Sequence, residues 1–120
     1  MTQPLREPTF LILTALAGAR LHGYGITADV ERASEGRVRL RAGTLYGALD
    51  RLVEEGHVAP DGDEVVDGRL RRYYVLTPTG RNLLRWEAER MTAQAAEASR
   101  RLTAAPVRRR AIRRPAGGHA

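Results

Sequence analysis

The chain has 120 residues, no cysteine and a formal net charge of +6. That length makes one domain whose core sits near the lower limit for folding alone, and the lack of cysteine removes disulfides, thiol catalysis and thiolate metal sites. No apolar run reaches the roughly 18 residues of a membrane-crossing helix, and the N-terminus lacks the basic-then-apolar order of a signal peptide, so a cytoplasmic location is expected. The charge is unevenly spread. Residues 1–105 hold 15 arginines against 14 acids, while residues 106–120 hold five arginines and no acid. Bulk charge therefore says little about partners, and local clusters must carry that argument.

In chain order, Pro8 suits the first turn of a helix. Phe10, Leu11, Ile12, Leu13, Leu16 and Ala17 make that helix apolar almost all round, as in a central or partner-shared helix, and Gly18 is its expected C-cap. A second helix follows His22-Gly23, with Tyr24, Ile26, Thr27, Val30 and Ala33 as an inner stripe. Asp29, Glu31, Arg32 and Glu35 form its wet side, and Gly36 ends it. Arg37 to Arg41 alternates with period two, which fits either a short strand or an extended connector. A third helix runs from about Ala42 to Gly56. Its inner side is Leu45, Leu49 and Leu52, with Thr44, Tyr46, Ala48 and Arg51 assigned to the other side.

His57 to Pro60 begins an extended segment, and Asp61-Gly62-Asp63 and Asp67-Gly68 are turn signals. Either Leu70, Tyr73 and Val75 or Tyr74 and Leu76 alternate on the return strand. Together they predict a two-stranded wing with a loop longer than a minimal hairpin. Thr77 caps the last helix and Pro78 suits its first turn. Leu83, Leu84, Glu87, Met91, Ala95, Ala98 and Leu102 recur at helical spacing as far as Ala105. That stripe is thin and needs another surface. Pro106 ends the helix, and the Arg-, Pro- and Gly-rich remainder predicts disorder.

Three short helices with tight links and a basic hairpin describe a winged helix-turn-helix. Its third helix and wing suit a major groove and the flanking phosphates. The fold class is mainly α. The expected organisation is a DNA-binding domain over 1–77, a C-terminal dimerisation helix over 78–105 and a disordered Arg-rich tail over 106–120. Catalysis is not expected. The three histidines are far apart, there is no Gly-rich phosphate loop, and Ser34 and Ser99 fall on surface-facing positions. The acids at 61–67 read as a solvated loop without calcium-ligand spacing, so neither a metal nor a cofactor is expected. The rival reading is a winged-helix protein-interaction module without specific DNA readout.

The landmarks Leu21-His22-Gly23-Tyr24-Gly25-Ile26, Gly43-Thr44-Leu45-Tyr46 with Leu49 and Arg51-Leu52, Glu55-Gly56, and Arg71-Arg72-Tyr73-Tyr74 with Leu76-Thr77 and Gly80 recur in that order. Over residues 8–85 the chain resembles the PadR family of bacterial transcriptional regulators. The resemblance implies a homodimer on a roughly palindromic double-stranded operator, with the third helix in the major groove and the wing on the adjacent backbone or minor groove. It also implies a dimer interface made by the N- and C-terminal helices, and repression relieved by an effector. The single C-terminal helix is like that of short-tailed members, and Gly47 stands where the family often carries proline.

Each singled-out residue has a bland reading beside the functional one. Tyr24 offers a hydroxyl to phosphate or packs as an ordinary amphipathic residue. His22 hydrogen-bonds locally and fixes the start of the second helix. Thr44 caps the third helix or contacts phosphate. Tyr46 is the main DNA candidate. Ala48 touches a thymine methyl or merely favours helix. Arg51 binds phosphate or pairs with Asp50, Glu54 or Glu55. Arg69 and Arg71 on the wing are phosphate or minor-groove candidates, and Arg72 takes the other strand face. Arg39 and Arg41, with Arg37, either add affinity through counterion release or form a solvated run. Following the resemblance, Phe10, Leu13, Leu84, Trp86 and Met91 are assigned to the dimer interface or to a pocket for a small aromatic or amphipathic effector. No membrane partner is expected.

Overall fold

The computed structural model describes residues 4–104, and the basic tail expected at 106–120 lies outside the described residues. The elements follow in the order α1 (Glu7–Gly18), β1 (Leu21–His22), α2 (Gly23–Ala33), α3 (Ala42–Glu54), β2 (Val58–Val66), β3 (Arg69–Leu76) and α4 (Pro78–Ala104). This is the mainly helical winged fold the sequence predicts, with one strand more than expected. No helix among the described residues is long and apolar enough to cross a membrane. The chain divides into two compact units, Met1–Ala88 and Glu89–Ala120.

In the first unit, Ile12, Leu13, Ala15 and Leu16 of α1 meet Ile26 and Val30 of α2 and Leu45, Leu49 and Leu52 of α3. Val58, Tyr74 and Leu76 close the core from the sheet. Burying a side chain of this size contributes about 1.5–3 kcal/mol, so α1 is held chiefly by its own domain. Leu13, assigned above to an interface, is fully buried in this core. Ala48 is buried too, which removes it from the DNA-facing set. Tyr24, placed above on the inner stripe, is 77% exposed, and Ala33 is also exposed.

The helix ends explain the tight links. α2 closes with Glu35 N–H donating to the Arg32 carbonyl (3.1 Å) and Gly36 N–H to the Glu31 carbonyl (2.8 Å). α3 repeats the pattern, with Gly56 N–H on the Val53 carbonyl (3.0 Å) and His57 N–H on the Leu52 carbonyl (2.9 Å). Both are left-handed C-terminal caps. Between the two helices, Arg37 to Arg41 forms a connector and no strand. Its period-two pattern comes from packing Val38 and Leu40 against the core. Ser34, read above as surface-facing, is buried and its hydroxyl accepts from Val38 N–H at 2.9 Å.

The sheet has the order β1-β3-β2. Leu21 and His22 pair antiparallel with Tyr74 and Tyr73, a strand too short for alternation to reveal. β2 runs through Asp61-Gly62-Asp63 as a bulge, since Pro60 pairs with Tyr74 and Asp63 with Arg72. That segment is therefore no turn. The turn is Asp67-Gly68 alone, both residues at positive φ (52° and 76°). Two such residues make the minimal hairpin loop whose twist matches the strands, shorter than the loop expected.

Thr77 caps α4 as expected, its hydroxyl oxygen accepting from Gly80 N–H at 3.0 Å and donating to the Gly56 carbonyl at 2.7 Å. Glu87 is buried, and its carboxylate accepts from the Leu5 amide at 3.1 Å. In the second unit the described residues are the helical turns of 89–104, where Glu97 pairs with Arg100 and, at 2.6 Å, with Arg101.

Gly80 marks the tightest packing. A Cβ there would lie 2.0 Å from the His57 carbonyl oxygen and 2.9 Å from a Leu76 methyl. That oxygen is fixed by the Thr77 amide at 3.1 Å and cannot withdraw. Gly80→Ala is therefore expected to cost about 1–3 kcal/mol, read as a lower urea midpoint at unchanged slope. Gly18→Ala, with nothing within 4 Å of its Cβ position, should stay within about 1 kcal/mol of the parent.

Candidate nucleic-acid interface

A helix turns about 100° per residue. With Leu45, Leu49 and Leu52 inward, Thr44 and Arg51 fall on one flank of α3 and Tyr46 on the other. The structure bears this out and corrects the single outer side expected from sequence. Thr44, Gly47 and Arg51 line one groove with Arg6 and Leu40. Tyr46 lines another with His22, Tyr24 and the wing residues Arg69, Arg71 and Arg72. Between the flanks, the outward ridge is Gly43 and Gly47 in the first half of the helix and Asp50 and Glu54 in the second. Neither glycine has an atom within 4 Å of its Cβ position. The bare N-terminal half can approach a base edge closely, whereas the acidic half suits solvent.

Thr44 does not cap α3. The N-cap is Arg41, with no side-chain cap bond, and α3 starts at Ala42. Thr44 sits exposed in the first turn, so its hydroxyl is free of the cap role. Arg51 has no ion pair among the described residues; Asp50, Glu54 and Glu55 do not hold it. Arg39 reaches Glu31 at 3.5 Å, and Arg37 is held by Glu7 at 2.9 and 2.6 Å. Arg37 is therefore spoken for, and Arg41 lies exposed beside the start of α3.

The second groove is built from three elements. Gly23 opens α2 directly beneath Tyr46, where a Cβ would lie 2.2 Å from the Tyr46 hydroxyl oxygen. Only a glycine lets the ring settle there. Tyr24 projects beside it and stacks on the His22 ring at 6.3 Å. His22 caps α2, its Nδ1 accepting from Gly25 N–H at 3.2 Å, as the local role predicted. Its ring also meets Tyr73 edge-on at 5.3 Å, and its Nε2 lies 3.2 Å from an Arg71 guanidinium nitrogen.

Acids near this groove are engaged within the chain. Arg20 binds the Asp61 carboxylate at 2.9 Å and covers the Tyr73 ring at 3.9 Å. Arg72 pairs with Asp63 at 3.3 Å, and Tyr73 donates to Glu64 at 2.6 Å. Arg69 and Arg71, two apart on β3, share the face of Tyr73; Arg72 shares that of Tyr74. Neither Arg69 nor Arg71 has an ion pair among the described residues. Sequence reasoning missed Gly23, Arg20 and Tyr73 as organisers, because Gly23 meets Tyr46, Arg20 meets Asp61 and Tyr73, and Tyr73 meets His22 only across more than 20 positions, and no local pattern marks them. The remaining assignments fall in two places. In the first unit, Phe10 and Leu84 are half-buried and Trp86 is 43% exposed; in the second, Met91 is exposed.

Burial and, secondarily, Arg71 push the His22 pKa below its ordinary value of 6.5, against an opposing pull from Glu64. The ring faces Arg71 and Tyr73 from β3, Glu64 from β2 and Tyr24 from α2. A histidine depressed in the folded state binds fewer protons there than in the unfolded chain. Its stabilisation is complete above about pH 6.5 and is lost as pH falls through the depressed value. Thermal melts from pH 8 to pH 5 should therefore fall more steeply for the parent than for His22→Asn, which keeps a capping oxygen without a titrating ring.

The Transcriptional regulator PadR-like family model matches residues 12–86. The chain is 47% identical over 85 residues to an uncharacterized 37.1 kDa protein in transposon TN4556 of Streptomyces fradiae, a match covering 71% of this chain and 23% of that protein. It is 40% identical over 73 residues to transcriptional regulator Rv3488 of Mycobacterium tuberculosis, covering 61% of this chain and 64% of that one. The chain thus spans less than two thirds of the length of either relative. Among solved structures, Bacillus subtilis PadR in complex with operator DNA superposes with a TM-score of 0.58 at 23% identity, over 67% of this chain and 46% of that one. On the family match over its winged helix, this chain belongs to the transcriptional regulator PadR-like family.

Proposed function

We infer that this chain binds a roughly palindromic operator as a homodimer and represses transcription until an effector releases it. The observation that carries the reading is the groove where Tyr24, Tyr46, Arg69 and Arg71 converge from two helices and the wing with no carboxylate lining it. Hydroxyls and guanidinium groups of this kind contact phosphate and fix the register of a helix in the major groove. The exposed start of α3, with Thr44 and Arg51 on its far flank, reads base edges, and Arg39 and Arg41 add charge alongside. The operator DNA in the Bacillus subtilis PadR structure supports the same partner for this chain.

Residues 1–77 act as the DNA-binding domain and 78–105 as the dimerisation helix. The support for dimerisation is the stripe of Met91, Ala95, Ala98 and Leu102, all exposed in the single chain, Leu102 at 84%. In the first unit, Trp86, with Phe10 and Leu84, offers apolar surface for a flat effector. Leu13 is withdrawn from that role by its burial. The basic tail at 106–120 adds nonspecific phosphate attraction.

Selection from random duplexes, followed by binding at fixed salt, tests the reading. Tyr46→Ala is expected to lose about tenfold or more in affinity for the selected duplex while keeping the parent's sedimentation mass. Unchanged affinity, with a lost protein complex instead, supports the interaction-module reading. Removing residues 91–120 should convert the sedimenting species to monomer at micromolar concentration. An unchanged mass removes the dimerisation helix from the proposal.

A further inference from the structure

The contact between His22 and Arg71 does not satisfy either group. The Gly25 amide can only donate, and it donates to Nδ1 of His22 at 3.2 Å. A neutral imidazole has one lone-pair nitrogen and one N–H, so the proton sits on Nε2. Burial and the Arg71 charge favour that neutral state over the opposing pull of Glu64. Arg71 carries only donors, and its terminal nitrogen lies 3.2 Å from Nε2. Two N–H groups therefore face each other with no acceptor between them.

Among the described residues, no acceptor is placed against the pair. Glu64 lies opposite Arg71 in the ladder, but its carboxylate turns one oxygen to the Tyr73 hydroxyl at 2.6 Å and makes no ion pair with Arg71 among the described residues. Asp61 and Asp63 are held by Arg20 and Arg72. The groove onto which the pair opens is lined by the hydroxyls of Tyr24 and Tyr46 and by Arg69, and by no acid. What fits is an anionic oxygen that accepts from two or more donors at once.

We propose that His22 and Arg71 form a two-donor clamp for one non-bridging oxygen of a backbone phosphate in the bound duplex. The clamp rests on the DNA-binding reading and deepens it. His22 is then more than a helix cap. Nδ1 fixes the start of α2 while Nε2–H touches the phosphate, so one ring couples helix position to backbone contact. Arg71 supplies the charge and His22 the direction. A free inorganic phosphate offers the same oxygen chemistry, and the experiment must separate the two sources.

The experiment is a double-mutant cycle on the selected duplex with His22→Asn, Arg71→Gln and the pair, in the full chain. Asparagine retains a capping acceptor but is too short to place a donor where Nε2 stands. Each single variant should weaken binding about tenfold, and the double should lose little more than the weaker single, because both donors serve one oxygen. Arg71→Gln should lower the salt slope by about one, and His22→Asn should leave it unchanged because its donor is neutral. A methylphosphonate at the contacted position should weaken the parent and leave the double variant unaffected. Parent affinity in His22→Asn, or losses that simply multiply, overturns the clamp alone. A parent that selects no duplex sinks the DNA-binding reading and the clamp with it. Ring-nitrogen NMR shifts at His22 produced by the duplex, but not by inorganic phosphate, assign the oxygen to the duplex; equal shifts from inorganic phosphate mark a general anion site and overturn the assignment.

Discussion

The pairing of His22 with Tyr73 is the joint on which the interface depends. It is only a two-residue strand, yet it fixes the first residue of α2 against the middle of β3. Gly23 follows at once, and its missing side chain lets Tyr46 of α3 lie across the start of α2. One short ladder thereby brings two helices and the wing to a common edge. Without it, the wing would be a hairpin joined to the core only through the buried ends of β2 and β3, and Arg69 and Arg71 would have no fixed distance from Tyr24 and Tyr46. The cap of α2 and the edge-on His22–Tyr73 contact use the same ring, so helix start and wing position are set together.

A positive face arises on a nearly neutral domain by local disposal of the acids. Asp61, Asp63 and Glu64 lie on β2, close enough to oppose a phosphate. Each is turned onto a partner in the chain: Arg20, Arg72 and Tyr73. These exposed contacts contribute little stability. Their effect is on the field, because Asp61 and Asp63 are neutralised by arginines and Arg69 and Arg71 are left without an ion pair among the described residues. The bulge at Asp61-Gly62 belongs to this arrangement, since it turns the Asp61 carbonyl and carboxylate toward Arg20. Screening at physiological ionic strength reaches about 8 Å, so which acid sits beside which arginine matters more than the chain's total charge.

Much of the fold was legible because its signals are local. Pro8, Thr77-Pro78 and the glycines at 36 and 56 punctuate helices through backbone rules that act within a few residues, and the leucines at 45, 49 and 52 are periodic. The errors lie where distant contacts decide. Asp61-Gly62-Asp63 looks like a turn because a left-handed glycine serves a turn and a bulge equally well. β1 is too short to alternate. Ala48 and Tyr24 were misplaced because an alanine and a tyrosine carry no clear side preference; the helix rotation set by Leu45, Leu49, Ile26 and Val30 decides them. The candidate site was legible as a set of residue types, and Tyr24, Tyr46, Arg69 and Arg71 do share a groove. Its assembly was not legible, because Gly23, Arg20 and Tyr73 act through contacts that sequence separation hides.

The second unit poses the opposite problem. Its described turns are helical, and the side-chain pairs along them are exposed. Those that Glu97 makes with Arg100 and Arg101 are worth about 0.3–0.5 kcal/mol each. The apolar positions Met91, Ala95, Ala98 and Leu102 form a seam too narrow for a domain core but suited to a helix–helix contact, where small residues let backbones approach. In the proposed dimer that contact, together with continuity from the capped start of α4, supplies what local pairs cannot. In that proposed dimer, half-site spacing on the operator would depend on how closely the small residues of the seam let two helices approach.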